Sequence, residues 1–249
     1  MKLHVWAPGF SVFQGGIGAH GRALAKALRD LGHDVRLYGK FDTPGTWDGF
    51  PIWGTGNSSG RLQTARFAAG LLAACAYHRP ERVVSLHLNF GPVAQLVKKL
   101  LGIPFTLTVH GIEMHENLPQ ARRRALRNAD LVFADSAWSK QRLMDTVDLD
   151  PVRVRILPCT VDASRFSHGC KSERLMTRYN LKPDEQVVLT VARLDAREAY
   201  KGYDRVVQAL PSIRKTCGPV RYILAGKGDD EVRVQSLARQ LSVEDAVTF

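Results

Sequence analysis

Arg193 and Lys201 are the residues whose type and spacing point most directly to chemistry. The apolar run from Val187 to Ala192 reads as a buried strand, and Arg193 follows it directly. Lys201-Gly202 then stands immediately before a helical pattern that opens at Tyr203. This order sets a guanidinium and an ammonium at the carboxyl edge of a parallel strand, beside a helix start. Open α/β sheets bind ligands at that edge, and such a pair suits a phosphorylated one. A di- or polyphosphate compound is the expected ligand.

Gly15, Gly16 and Gly18 precede a helical pattern over Gly18 to Leu31. Glycines there let backbone N–H groups approach a phosphate, and the helix dipole adds to the attraction. A plain loop with turn glycines is the alternative. Residues 16–21 also spell G-x-G-x-x-G, but residues 8–14 separate them from the first strand, and the second strand closes on Tyr38-Gly39-Lys40 with no acidic residue. Both departures disfavour a nicotinamide or flavin site. His110 follows the strand Phe105 to Val109 at its carboxyl end, where ligand-binding residues collect, although a lone histidine there is more often structural. Glu113 either contacts a ligand or caps the turn. Gly226-Lys227-Gly228 after Val220 to Ala225 either lines a nucleotide pocket through its backbone or forms an ordinary strand-to-helix turn. His87 and Asn89, ending another strand, could face the ligand cleft from its far side, but neither is assigned a role.

These residues need a scaffold of strands alternating with helices. Strand-like runs fall at Leu3–Ala7, Val35–Tyr38, Val83–His87, Phe105–Val109, Leu131–Ala134 and Val154–Leu157, each next to an amphipathic segment. That alternation predicts an α/β fold with parallel sheets and helices on both faces. From Asp162 to Asp184 the pattern breaks, with Gly169, Pro183 and many charges. We place the interdomain connection there, giving an N-terminal domain over 1–166 and a second over 167–249. The second starts afresh with strand Val187–Ala192, helix Tyr203–Arg214, strand Val220–Ala225, helix Glu231–Leu241 and a strand stub at Val247–Phe249. Two or three strands are too few to close such a sheet, so an exposed apolar sheet edge and helix faces are expected.

A hydrophobic content of 45% with 24% charged residues describes a soluble globular protein. Cys75, Cys159, Cys170 and Cys217 are far apart and form no C-x-x-C pair, so neither a zinc site nor a disulfide framework is suggested. The first eight residues read as a strand rather than a signal peptide, and Phe67 to Ala76 is about half the length of a membrane span. A reducing cytoplasm fits best. The net charge of +11 favours anionic partners: nucleotide-sugars, anionic lipid head groups or nucleic acid. Arg122-Arg123-Arg124 with Arg127 form the densest cluster, on a helical segment from Gln120 to Ala129. A solvated helix face is the favoured reading.

Ala192-Arg193-Leu194-Asp195 followed by Lys201-Gly202-Tyr203-Asp204 resembles the donor-site segment of the family-4 (group 1) retaining glycosyltransferases, which have two Rossmann-like domains (GT-B). Four further segments match in order: Gly15-Gly16-Ile17-Gly18; Val109-His110-Gly111-Ile112-Glu113; Ile156-Leu157-Pro158 with Val161-Asp162; and Ala225-Gly226-Lys227-Gly228-Asp229. The resemblance implies sugar transfer from a nucleoside-diphosphate-sugar to a hydroxyl of a polysaccharide, lipid-linked or small-molecule acceptor. It implies that Gly15, Gly16, Arg193, Lys201 and Gly226 bind the donor, that His110 orients the transferred sugar, and that Glu113 lies on the acceptor side. Arg193 and Lys201 would stabilise the leaving diphosphate in place of a metal ion, and the chain is read as offering no Asp-x-Asp motif to hold one. No cofactor and no nucleic-acid partner are expected. Location would be cytoplasmic, with peripheral contact at an anionic inner membrane face left open; because many members act on lipid-linked acceptors, the resemblance also implies the alternative for Arg122-Arg123-Arg124 and Arg127, a membrane-surface or acceptor-phosphate patch. Members normally continue past Phe249 with an E-x7-E glutamate pair, which this sequence lacks. A fragment with little or no catalysis is therefore expected, and a noncatalytic remnant or anionic-ligand binding module is the alternative.

Overall fold

The structure is a computed structural model that describes residues 1–11, 15–111, 113, 118–163 and 165–249. Ile112, part of one family-like segment, lies outside the described residues. The chain divides into two compact units, Met1–Ala163 and Ser164–Phe249, three residues before the 166/167 boundary read from the sequence.

In unit 1 the elements follow as β1 (Lys2–Ala7), α1 (Gly16–Asp30), β2 (Asp34–Gly39), β3 (Gly45–Trp47), β4 (Phe50–Gly54), α2 (Gly60–His78), β5 (Arg82–Ser85), α3 (Gly91–Leu101), β6 (Phe105–Val109), α4 (Gln120–Asn128), β7 (Leu131–Ala134), α5 (Ala137–Thr146) and β8 (Val154–Ile156). They form one eight-stranded sheet in the order β3-β4-β2-β1-β5-β6-β7-β8. Only the β3–β4 pair is antiparallel. The strands alternate their apolar side chains between two cores, because helices cover both faces. Val5, Ala7, Leu37, Val84 and Leu86 pack with Ala25 of α1, whereas Trp6, Tyr38 and Val83 pack with Phe67, Leu71 and Ala94 of α2 and α3.

The sheet grows from β1 toward β4 on one side and from β5 toward β8 on the other, so its topological switch point lies between β1 and β5. Two expectations are corrected here. The strand expected to reach His87 stops at Ser85, and Leu88–Phe90 form a 3₁₀ turn whose start is capped by His87 Nδ1, which accepts from the Asn89 N–H at 3.1 Å. The β3–β4 hairpin escaped the strand pattern altogether. Its Asp48-Gly49 turn has φ of 49° and 79°, the left-handed pair that matches hairpin twist.

Unit 2 contains α6 (Glu173–Arg178), β9 (Gln186–Val191), α7 (Tyr203–Cys217), β10 (Val220–Ala225), α8 (Glu231–Gln240) and β11 (Val247–Thr248). α6 lies inside the stretch expected to be irregular. The three strands are parallel in the order β11-β10-β9. One sheet face is covered: Tyr222 and Leu224 pack with Tyr203, Val207 and Leu210 of α7 and Val234 of α8. On the other face Val187, Leu189 and Val191 of the edge strand β9 are 38%, 60% and 77% exposed, so the open apolar surface here is a sheet face, where the sequence suggests a sheet edge and helix faces.

Candidate functional sites at the carboxyl edges

At the switch point of unit 1 a cavity of about 480 Å3 opens among the loops that leave β1, β2 and β5. This is where doubly wound sheets place ligands. Pro8 follows β1, Lys40 follows β2, and His87, Asn89 and Phe90 follow β5. The adjoining helices supply Phe67 and Leu71 from α2 and Arg122 from α4.

His110 leaves the end of β6 and is tied to this region. Its backbone N–H donates to Glu113 Oε2 at 2.8 Å, and its Nε2 lies 3.0 Å from the Leu86 carbonyl. A carbonyl only accepts, so Nε2 carries the proton and Nδ1 is left facing Asp135 Oδ2 at 3.7 Å. Glu113 therefore does cap the turn with one oxygen. Its other oxygen, Oε1, is buried without a hydrogen-bond partner and sits 3.9 Å from His87 Nε2. Because His87 Nδ1 is an acceptor, its proton too resides on Nε2, facing that carboxylate. Burial lowers the His87 imidazole below its ordinary value; the Glu113 carboxylate opposes this, and the charges of His110 and Arg122 add to it.

Sequence reasoning missed His20 on α1. It is 6% exposed, both ring nitrogens are buried without a hydrogen-bond partner among the described residues, and its ring stands edge-on to that of His110 with centroids 6.3 Å apart. The same glycine pattern now has physical causes. A Cβ on Gly21 would meet Leu86 Cδ1 at 2.8 Å and Phe10 Cε1 at 3.2 Å, so packing requires that glycine. Gly16 differs: no described residue lies within 4 Å of an added Cβ. Gly15 is the N-cap of α1 and offers no side-chain cap, and no acidic residue stands in the first turn.

In unit 2, Arg193 and Lys201 both belong to the loop that leaves the carboxyl end of β9, and both are exposed. Arg193 is ion-paired with Glu198, while Arg197 pairs with Asp195 at 2.8 Å and holds that carboxyl at about 2. Lys201 has no ion pair among the described residues and stands 5.0 Å from the Tyr200 ring centroid. Gly202, with φ of 74°, turns the chain into α7. Gly226 and Gly228 sit where loop 225–230 meets loop 192–196, and added Cβ atoms would lie 1.8 Å from the Ala192 oxygen and 2.0 Å from the Leu194 oxygen. The two loops are joined by Leu194 N–H to Lys227 O (3.0 Å), Asp230 N–H to Leu194 O (2.8 Å) and Ala196 N–H to Asp229 Oδ1 (2.9 Å). Gly226 is thus demanded by close backbone approach.

Asp230 was also missed. It is 3% exposed and accepts from the Tyr203 hydroxyl (2.7 Å) and from Arg233 Nε (2.6 Å) and Nη2 (2.7 Å). An Asp-x-Asp triplet does occur in the chain, at Asp148-Leu149-Asp150, but Leu149 is buried and Asp150 Oδ1 caps a 3₁₀ turn by accepting from the Val152 N–H at 2.9 Å. No group of three metal-binding side chains occurs among the described residues, and none of their helices is long and apolar enough to cross a membrane.

Two parallel α/β units with polar and basic residues at the carboxyl edges of their strands define a Rossmann-like ligand-binding class. The chain belongs to Glycosyltransferase Family 4, which matches residues 14–165, and residues 171–249 match Glycosyl transferases group 1. It is 29% identical over 211 residues to the D-inositol 3-phosphate glycosyltransferase of Acidothermus cellulolyticus, covering 74% of this chain and 46% of that protein. The protein of the same name from Mycobacteroides abscessus is 28% identical, with coverage of 75% and 45%. The chain therefore spans about half the length of the curated relatives it matches. Among solved structures, Anabaena HepE in complex with UDP and glucose matches with a TM-score of 0.75 at 18% identity, covering all of this chain and 68% of that one. Sucrose-phosphate synthase from Thermosynechococcus elongatus gives 0.76 at 19%, with coverage of 100% and 69%. These likenesses establish the GT-B fold class, with a short second unit.

Proposed function

We propose that the protein is a retaining, metal-independent glycosyltransferase that moves a sugar from a nucleoside-diphosphate-sugar to a hydroxyl acceptor in polysaccharide or glycolipid synthesis. The observation that carries this reading is the start of α1. Gly16 is not strained and is not crowded by any described residue, so their packing gives no reason for a glycine there, and the helix end has no side-chain cap from Gly15. Close approach of a diphosphate is a reason, since bare backbone N–H groups and the helix dipole favour an anion. Arg193 and Lys201, exposed on a β-strand's carboxyl-end loop, are the second half of the reading. They neutralise the charge that builds on the departing diphosphate. Arg193 exchanges its Glu198 partner for phosphate oxygens, a more favourable bidentate target.

In this scheme His110 orients the transferred sugar and does not shuttle protons, because its Nε2–H is held by the Leu86 carbonyl. Gly226 shapes the donor pocket through backbone geometry, and Glu113 stands on the acceptor side. The nucleotide-sugar is a substrate, and the reading includes no cofactor. UDP is the first nucleotide to try, given the ligand named for HepE, and an inositol phosphate is the first acceptor, given the curated relatives' name. Calorimetry of the full chain with UDP, GDP and ADP tests the reading, with Arg193→Ala and Lys201→Ala as controls. Saturable binding that both variants weaken supports it. Absence of binding to all three nucleotides would overturn it. The anomer of any transfer product, read by proton NMR, checks retention.

A further inference from the structure

Asp42 is fully buried, at 0% exposure, on the tight turn that follows β2, where its N–H donates to the Gly39 carbonyl at 3.1 Å. A buried carboxylate must find donors, and three of them come from the loop that leaves β1. Oδ2 accepts from the Phe10 N–H at 2.7 Å, and Oδ1 accepts from the Ser11 N–H at 2.9 Å and the Ser11 hydroxyl at 2.6 Å. The surrounding backbone is shaped to this turn. A Cβ on Gly39 would lie 1.8 Å from Asp42 Oδ2, one on Gly54 2.2 Å from the Asp42 carbonyl oxygen, and one on Gly56 2.5 Å from the Phe41 carbonyl oxygen. None of these glycines has the positive φ that favours the residue, so room for the turn is what they provide.

Phe10 carries the constraint into α1. Its side chain is fully buried in one cluster with Leu86, close against Gly21, and its carbonyl accepts from Arg22 Nη1 at 2.7 Å. Ser11 precedes the N-cap Gly15 by four positions, so at most about 14 Å of chain separates the held end of the loop from the start of the helix. Resting on the transferase reading above, we infer that Asp42 is a positioning residue for donor binding: through Phe10 and Ser11 it sets the β1–α1 loop so that the backbone N–H groups at the start of α1 meet the diphosphate. Being fully buried, it touches no substrate itself. A carboxylate is required there. Both oxygens accept from backbone N–H groups, and an amide would turn its NH2 against one of them in either orientation.

Calorimetry of the full chain with UDP and with UMP separates positioning from stability, because the ratio of the two affinities reads the terminal phosphate alone. Asp42→Asn should lower that ratio about tenfold. Gly39→Ala keeps the carboxylate but drives a methyl into its place, and should do the same. The double variant should be no worse than either single one, since both act through one contact. Amide NMR spectra give a readout that needs no nucleotide: Asp42→Asn should shift the resonances of Gly15 and Gly16 as well as those of Phe10 and Ser11. A lower melting temperature with the affinity ratio kept at its wild-type value shows a purely structural residue and overturns the inference, as do shifts confined to Phe10 and Ser11. Absence of UDP binding by the unaltered chain defeats the transferase reading, and the spectra alone then decide whether Asp42 sets the loop, so the two failures are distinguishable.

Discussion

The Tyr203 hydroxyl donates to Asp230 Oδ2 at 2.7 Å, joining the first residue of α7 to the residue that precedes α8. Both side chains are buried, and Asp230 is further held by the Arg233 guanidinium. Burial and the Asp230 carboxylate together push the Tyr203 phenol up to about 12, so it stays a donor across the physiological range. Tyr203→Phe removes one bond to a charged acceptor and should lower the stability of unit 2 by about 2 kcal/mol. Urea unfolding followed by circular dichroism measures this, and an unchanged midpoint would show that the bond contributes nothing net.

Three glycines separate packing from ligand approach. Gly226→Ala and Gly228→Ala place a methyl within 2.0 Å of a carbonyl oxygen, so the two loops must part; each substitution should cost about 2 kcal/mol or more and weaken nucleotide binding with it. Gly16→Ala meets no described residue at the first position of a helix, so melting should stay the same or rise slightly. Nucleotide affinity should nonetheless fall if a diphosphate approaches there. Melting curves and UDP titrations on the same three samples resolve the cases, and an unaltered UDP affinity for Gly16→Ala would remove that glycine from the donor site.

Acid should destabilise unit 1 through His4. This imidazole is 2% exposed, lies near Tyr38, Cys75, His78 and Arg36, and titrates at about 3, chiefly through burial, with the charges of His78 and Arg36 adding. Its folded value lies below the unfolded value of about 6.5, so the folded state stays neutral while the unfolded state takes a proton. The contribution is complete above about pH 6.5 and is lost as pH falls toward the folded value, with a slope of up to about 1.4 kcal/mol per unit. Burial depresses His20 and His87 in the same direction. A melting temperature that drops between about pH 7 and about pH 4, with a shallower drop in His4→Gln, is the expected result. A wild-type profile flat over that range contradicts it.

Much of the scaffold was legible because periodicity reports burial. All six strands expected in unit 1, β1, β2, β5, β6, β7 and β8, fall within two residues of their structural bounds, since most of them are buried with helices on both sheet faces. The β3–β4 hairpin was overlooked although Asp48-Gly49 carries a strong local turn signal; its strands are short and hold a proline and two glycines. His87 was placed on a strand because alternation cannot register a histidine that caps the next turn with its own ring nitrogen.

The sites divided similarly. Arg193, Lys201 and the glycines announce themselves by position relative to strands and helix starts. Asp230 and His20 do not, because their importance comes from partners 27 and 90 positions away in the chain: Tyr203 for the one, the His110 ring for the other. Arg122 could not be told from Arg123 in sequence, since adjacent helix positions differ by a rotation that only the packed fold converts into cavity or tether.

Arg193 and Lys201 should each weaken UDP binding about tenfold or more when replaced by alanine. Glu198→Gln should act oppositely, since it relieves Arg193 of a competing carboxylate. Calorimetry on the three variants decides the matter; tighter or unchanged binding in both alanine variants would mean these cations serve only the surface.

The stitching of loop 192–196 to loop 225–230 has a kinetic meaning. Three hydrogen bonds and two glycine-enabled contacts fix this wall before any nucleotide arrives. The ordering entropy is settled during folding, so on the proposed donor-site role a nucleotide would have no loop to organise here. Association there should follow a single concentration-dependent phase in stopped-flow traces, with no slow isomerisation after the encounter.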